Sequence, residues 1–590
     1  MTSLKHKLEL TFCGYAIFST ALFFVTGIAY QVLGRWPVTH QDFWRIYDTC
    51  LHRSWMYSAL LKYNGHSHFF PSQFWLVDLR FFHGNQDFLF AFGLSFEIAG
   101  TALFLLPVWR DRRIHITTKL FSSMIIVVFT FWMGRASMTV SGGFNCCYSL
   151  VLVGAALAFY SLGFATEQKR RETVVLTGVV VGGLLATFSF GTGLAVWAAA
   201  LATGYCLRFR FTLLIALGFA GAAAALIFIM LPTQEARGPH IAQTDWFHVS
   251  TYVSLLHYFF HLLGSPLLQM CTTWIPQKTL APSLSDLVAT TFGATGGTLG
   301  VVVLVRQLAR RNLQFGLAST GFAIMIFNLF AFILITLARA DHIASVPGEL
   351  DAPRYYYWSS LFWAGLLLFG LRLSETRRVL RAPMVCAMLA IPVFAFPSHY
   401  HEGWRWRHVR LLSNEAATSL LNGVKDPQQI KILSPYPDLV FRLASEMRAR
   451  RLDMFAAGYQ DWFDRPASKV FGQNRRVAGF KGRCQIRLLS TQPVAARING
   501  SAVHGEKMIP EISVVIDSRD LVRGVARSAS TPRWINWLLY DGIFQPRKFV
   551  GFIAPYDPRE QYSLRSVEGT MLSSEAMRIP PPPTQLGGGR

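Results

Sequence analysis

The stretch TFCGYAIFSTALFFVTGIAYQVL, Thr11 to Leu33, contains no charged side chain. A hydrocarbon core about 30 Å thick is crossed by roughly 20 apolar residues in a helix. Inside it every backbone N–H and C=O must find its partner within the protein, so a run of this length has one economical form, the helix. The run also recurs. On the same ruler there are about eleven candidate spans. They are Thr11 to Leu33, Phe88 to Val108, Leu120 to Met133, Cys146 to Phe164, Val174 to Ala186, Gly193 to Tyr205, Leu213 to Leu231, Leu287 to Val305, Phe315 to Leu337, Ser360 to Leu373 and Pro383 to Phe396. Of the 590 residues 52% are hydrophobic and 15% charged, against about 25% charged in a soluble domain. The expected fold class is an α-helical polytopic membrane protein.

Lys and Arg outnumber Asp and Glu by 56 to 33, a net charge of +23. Much of that excess falls in short loops, where it orients a membrane protein and does not call for nucleic acid. If the spans alternate, the basic clusters and the N-terminus lie on the cytoplasmic side. The opposite side receives Gly34 to Asp87, Pro232 to Asp286, Asp341 to Ser359 and the chain after Pro397. Thr251 to Leu268 is apolar enough for a helix, but counting it as a span would move the cluster Arg306 to Arg311 outside; it is expected to be re-entrant or to lie near the outer surface. The N-terminal run has no small-residue cleavage site and is expected to be a retained span.

Residues 1–397 are expected to form the membrane domain, with a large first loop at 34–87. A connecting α/β segment over 398–469 follows, in which Leu439, Leu443 and Met447 keep helical spacing. Alternating runs such as ISVVID (Ile512 to Asp517) and FVGFIA (Phe549 to Ala554) predict a β-sandwich over 470–579. Trp534, Trp537 and Tyr540 are candidates there for stacking on sugar rings or for packing between sheets. The tail 580–590, PPPPTQLGGGR, is expected to be disordered. The eight cysteines show no C-x-x-C spacing, so neither a disulfide framework nor a zinc site is expected.

A loop of about fifty residues is longer than connections usually are and is generally functional. It holds HQDFW, with Asp42 just past the first span; NGHSHFFP, Asn64 to Pro71; and SQFWLVDLRFFHG, where Phe74, Trp75, Leu79 and Phe82 would line one side of an interfacial helix while Asp78 and Arg80 point elsewhere. His257 and His261 are one helical turn apart, a spacing that can hold a metal. No acidic third ligand is obvious nearby, which favours packing or hydrogen bonding. Glu97 falls inside a span, and a hydrogen bond to a neighbouring helix is the simplest account of it.

An outer loop that opens on an acid and carries interfacial helices resembles the GT-C superfamily of polyprenyl-phosphate-sugar-dependent glycosyltransferases. More narrowly, the chain is similar to a bacterial, uncharacterised membrane branch with the pattern Asn-Glu-His-Arg, Phe-Pro, Asp and Phe-x-Gly. Here Asn64, His66, Phe70-Pro71, Asp78 and Phe82 to Gly84 match, while Gly65 and Ser67 replace the Glu and Arg. FSFGTGLAVWAAAL (Phe188 to Leu201) and ARADHIASVPGELDAPRYYYWSSLFW extend the similarity, the latter through Arg339, Gly348, Ala352, Arg354, Tyr355 and Ser359.

The resemblance implies transfer of a sugar from a polyprenyl phosphate to a glycan or lipid acceptor on the periplasmic side of a bacterial inner membrane. Such a site needs a base for the acceptor hydroxyl and cations for the departing phosphate. Asp42 is the expected base. Arg354 and Arg339 are expected to meet phosphate, since a planar guanidinium binds its oxygens in pairs. His40, Asn64, His66, Asp78 and Tyr355 complete the expected substrate-binding set. One base and direct displacement imply inversion at the anomeric carbon. No cofactor is firmly expected, though a divalent metal is compatible with this chemistry. The bland alternatives are a cap for Asp42 and snorkelling for Arg354. A transporter or flippase of a lipid-linked saccharide, or a non-catalytic assembly protein, is the competing class; transporters tend to show repeats and mid-membrane charges.

Overall fold

The computed structural model describes residues 2–167, 172–234, 248–274, 281–471, 481–489, 491, 494–503, 512–528 and 547–567. Trp534, Trp537, Tyr540 and the tail 580–590 lie outside the described residues, so nothing is said of their expected roles. The chain divides into two compact units. The first comprises Met1–Arg35, Arg53–Leu76 and Phe88–Trp406; the second comprises Trp36–His52, Val77–Asp87 and Arg407–Arg590.

The first unit is helical. Among the described residues, eight helices are long and apolar enough to cross a membrane: His6–Gly34, Asp87–Arg110, Ile116–Arg135, Gly142–Gly163, Phe211–Met230, Pro282–Arg310, Leu317–Ser345 and Arg378–Leu421. The count falls short of eleven for physical reasons. Val174 to Ala186 and Gly193 to Tyr205 correspond to helices of 16 and 12 residues, Glu172–Thr187 and Ala195–Cys206, below the length a span requires. Ser360 to Leu373 lies within Tyr356–Thr376, whose first turns, YYWSS, are aromatic and polar and are buried in the protein. The last helix, Arg381–Leu421, runs through Pro392 and Pro397. Proline frees a carbonyl but is tolerated in membrane helices where neighbours satisfy the freed group, so the change of composition at Pro397 is not a helix end.

Thr251 to Leu268 is not broken into a re-entrant element. It lies within one continuous helix, Val249–Thr272, that pairs closely with Pro282–Arg310. The approach depends on glycine: a β-carbon on Gly264 would stand 1.9 Å from the Ala289 carbonyl oxygen, and one on Gly293 would stand 1.7 Å from that of Phe260.

Glu97 does make the expected bond to a neighbouring helix, accepting from Gln31 Nε2 at 3.1 Å. It also lies 3.6 Å from Arg135. The Arg135 guanidinium donates to the Phe129 carbonyl at 3.0 Å and sits 3.6 Å from the centroid of the Tyr357 ring. Both charged side chains are buried, where an unpaired charge would be strongly unfavourable.

In the second unit β1 (Lys481–Leu489), β2 (Ala495–Val503), β3 (Ile512–Ile516), β4 (Val522–Ser528), β5 (Arg547–Ile553) and β6 (Ser563–Ser566) form one antiparallel sheet in the order β1-β2-β5-β4-β3-β6. A two-sheet sandwich was the expectation from the alternating runs. Among the described residues the strands instead share one sheet, and helical segments supply the second layer. One face buries Ile498, Val515, Phe549, Ile553 and Leu564. The other packs Phe552 with Val424, and Val514 and Val522 with Trp462 and Phe463. Asn422, just past the long helix, fixes this layer: its amide donates to the Val525 carbonyl at 3.0 Å and accepts from the Val525 N–H at 2.7 Å. Alternation in a strand reports that a face is buried and is silent about what covers it. The helix Pro437–Arg450 buries Val440, Leu443 and Met447, close to the expected stripe.

Candidate functional site

In the first unit a two-residue hairpin presents His66. Tyr63 and His66 exchange backbone hydrogen bonds of 3.0 and 2.9 Å. The corner residues Asn64 and Gly65 have φ of 50° and 76°, the left-handed pair that makes Asn-Gly the favoured hairpin turn. Asn64 is at the exposed corner. The His66 ring stacks on Phe190, with centroids 4.0 Å apart, and a β-carbon on Gly191 would come within 2.7 Å of His66 Nδ1. The FSFGTG segment is therefore a platform for the histidine.

Two guanidiniums approach this platform. Arg339, near the C-terminal end of the helix Leu317–Ser345, is 3.4 Å from His66 Nε2. Burial, reinforced by the charges of Arg339, the neighbouring His68 and Arg354, holds the His66 imidazole well below its usual pKa. Burial likewise pulls His68 down to about 3, so both rings are neutral at physiological pH. Both ring nitrogens of His68 are buried and lack a hydrogen-bond partner among the described residues, a cost of about 1–3 kcal/mol that a polar ligand group would relieve. Arg354 lies in the short turn Pro353–Tyr355 and pairs with Glu349, which also accepts from the Tyr355 hydroxyl at 3.0 Å. The aromatic wall continues from Phe190 to Tyr148, whose ring is tilted against it with centroids 4.9 Å apart. Thus four of the expected residues, His66, Arg339, Arg354 and Tyr355, gather in this unit with His68, Tyr148, Phe190 and Glu349. Glu349 had no sequence signal beyond lying five residues before Arg354.

The remaining expected residues, His40, Asp42 and Asp78, belong to the second unit. Asp42 is partly buried and immediately precedes the helix Phe43–His52. Its carbonyl accepts from the N–H groups of Arg45 and Ile46 at 3.0 and 3.2 Å. His40 is buried and stacked on Trp36 at 3.9 Å, and burial lowers its pKa to about 3.

Asp78 departs from the expected helix face. It is fully buried on the same side as Trp75, whereas Phe82 is exposed. The reason is a polar cluster that the apolar pattern does not reveal: the Tyr47 hydroxyl donates to Asp78 at 3.1 Å and accepts from Gln86 Nε2 at 2.7 Å. Burial pushes the Asp78 carboxyl up to about 7. A second buried acid, Asp453, accepts from the Thr39 N–H at 2.9 Å, and burial raises it to about 6. Gln41, His83, Gln86 and Asp453 all have φ between 50° and 66°, a concentration of left-handed residues of the kind found at functional sites.

A folded carboxyl that keeps its proton to about pH 7, against 3.8 when exposed, stabilises the fold in full below the lower value. That contribution is lost as pH rises through the higher one. The difference corresponds to about 4 kcal/mol as an upper bound. Asp78→Asn is therefore expected to match the wild type in stability near pH 4 and to exceed it progressively up to about pH 7, measured as the difference between unfolding free energies of the two proteins at each pH. A difference that does not change with pH would refute the assignment.

A cavity of about 530 Å³ in the second unit, lined by Arg451, Asp461, Trp462, Arg465 and Lys469 among others, contains none of the expected site residues.

No protein-family model matches the chain, and no curated protein matches it. Among solved structures it is similar to the archaeal oligosaccharyltransferase AglB from Archaeoglobus fulgidus, solved in complex with an inhibitory peptide and a dolichol-phosphate. Identity is 13%, the TM-score is 0.29, and the similarity covers 73% of this chain and 60% of that one. The chain thus spans about three fifths of that protein's length. A likeness this distant carries no functional argument, and the reading that follows rests on the chain's own residues.

Proposed function

We propose that this chain is a GT-C-type integral membrane glycosyltransferase that moves a sugar from a polyprenyl phosphate to a glycan or lipid acceptor at the periplasmic face of a bacterial inner membrane. The observation that carries the reading is Arg339 beside His66, with Arg354 close enough for its charge to act on the same imidazole, next to an aromatic wall. Two permanent cations and an uncharged imidazole suit a lipid-linked phosphate: the guanidiniums neutralise the anion that departs, and aromatic faces accept a sugar or prenyl chain. Glu349 holds Arg354 in place and leaves other N–H groups of the guanidinium for phosphate, since arginine carries five donors. Asp42 is assigned as the general base that takes the proton of the acceptor hydroxyl as its oxygen attacks the anomeric carbon. The bond to the phosphate oxygen breaks in the same displacement and the centre inverts.

The test is binding of a polyprenyl phosphate, without sugar, to purified protein in nanodiscs. Arg339→Gln and Arg354→Gln are each expected to weaken binding by about 10- to 100-fold, the loss of a charge-assisted hydrogen bond, while His83→Gln, outside this cluster, leaves it unchanged. Equal binding by the wild type and both arginine variants would rule out phosphate recognition here. Transfer is then assayed with a panel of polyprenyl-phosphate sugars.

A further inference from the structure

Away from the arginines, the helix pair Val249–Thr272 and Pro282–Arg310 brings a different set of groups together. His257 and His261 face Asp286, which lies in the second turn of the partner helix. His261 Nδ1 is 2.7 Å and His257 Nε2 is 3.4 Å from the same carboxylate oxygen, Asp286 Oδ1. One ligand atom from each of the three residues lies within 4.8 Å of the others. The other nitrogen of each ring is also held: His261 Nε2 is 3.0 Å from Asp351 Oδ1, and His257 Nδ1 is 3.4 Å from Thr290 Oγ1.

This second set of contacts separates the cluster from a chance grouping. Metal-ligating histidines almost always have the remote ring nitrogen fixed by a carboxylate or another polar group, which sets the tautomer and aims the coordinating nitrogen. His261 is 3% exposed and has a carboxylate at each nitrogen. Asp286 is 44% exposed, which leaves one side uncovered by the protein.

We propose that His257, His261 and Asp286 bind a divalent transition-metal ion of the zinc class, with Asp351 and Thr290 as the groups that orient the two rings. Two imidazoles and one carboxylate suit zinc and its borderline neighbours better than magnesium or calcium, which prefer oxygen ligands. Around a tetrahedral ion with bonds near 2.0 Å, ligand atoms stand about 3.3 Å apart. The His257–Asp286 separation already matches. The His261–Asp286 separation is that of a proton-bridged pair and opens when the ion replaces the proton. Three protein ligands and an open position accommodate water or an anionic ligand. The inference does not depend on the glycosyltransferase reading.

The full-length protein, purified in detergent and stripped with a chelator, is titrated with Zn²⁺ in competition with a chromogenic chelator and separately with Co²⁺, whose visible bands report coordination. The expected result is one tight equivalent of Zn²⁺ and cobalt bands of a nitrogen–oxygen site of low coordination number. His257→Gln and Asp286→Asn are expected to lose at least 100-fold in affinity. Asp351→Asn keeps the stoichiometry and weakens the ion by about 10- to 100-fold. Metal-free melting curves that coincide with the wild type establish that His257→Gln, at a partly exposed position, is folded. Absence of a stoichiometric ion overturns the proposal. So does unchanged affinity in folded His257→Gln and Asp286→Asn, which would place the ion on other histidines.

Discussion

Asp42→Asn is expected to lower sugar transfer by about 10²–10⁴-fold, the usual contribution of a positioned general base, while the protein still folds and binds donor. The fold should survive because Asn is about as good as Asp at the start of a helix. The kinetic signature separates the two proposed roles. Loss of the base reduces kcat and leaves the donor KM nearly unchanged, whereas Arg354→Gln raises the donor KM as well. A folded Asp42→Asn protein with full transfer would remove Asp42 from the mechanism while leaving the phosphate-binding assignment to be judged by its own assay.

Arg135→Met should be among the most destabilising substitutions in the helical unit, by about 3–5 kcal/mol, since it leaves the buried Glu97 carboxylate without its cation. The packed tyrosine beneath the guanidinium loses its contact too. The double variant Glu97→Leu/Arg135→Met is expected to recover most of the loss, because a buried pair replaced by apolar groups is often close to neutral. Unfolding in detergent of the wild type, both single variants and the double variant gives the coupling energy. Additive losses would show that the two side chains contribute independently despite the 3.6 Å between them.

The spans were legible because a bilayer imposes a length on apolar runs, and the strands because ISVVID and FVGFIA alternate as strands do. What local pattern leaves open is what lies across from a segment. Nothing near Asp453 signals that it will cap a backbone N–H 414 residues earlier. The apolar spacing of SQFWLVDLRFF suggests that Asp78 avoids the core, yet a tyrosine and a glutamine from elsewhere give it a buried place. His257 and His261 were visible as a pair; the third group, Asp286, comes from the next helix and 25 residues on. By contrast Arg339, Arg354, Tyr355 and His66 were found through motif resemblance, and their gathering in one unit follows from no periodicity.

The corner at Asn64 and Gly65 bears on how a chain of this kind can change. A glutamate grafted at position 65 would have to carry its β-carbon at φ 76°, a penalty of about 1–2 kcal/mol, so acid and corner are poorly compatible alternatives. The single substitution Gly65→Glu meets that penalty in full, whereas an exchange of the whole hairpin changes the turn together with the side chain.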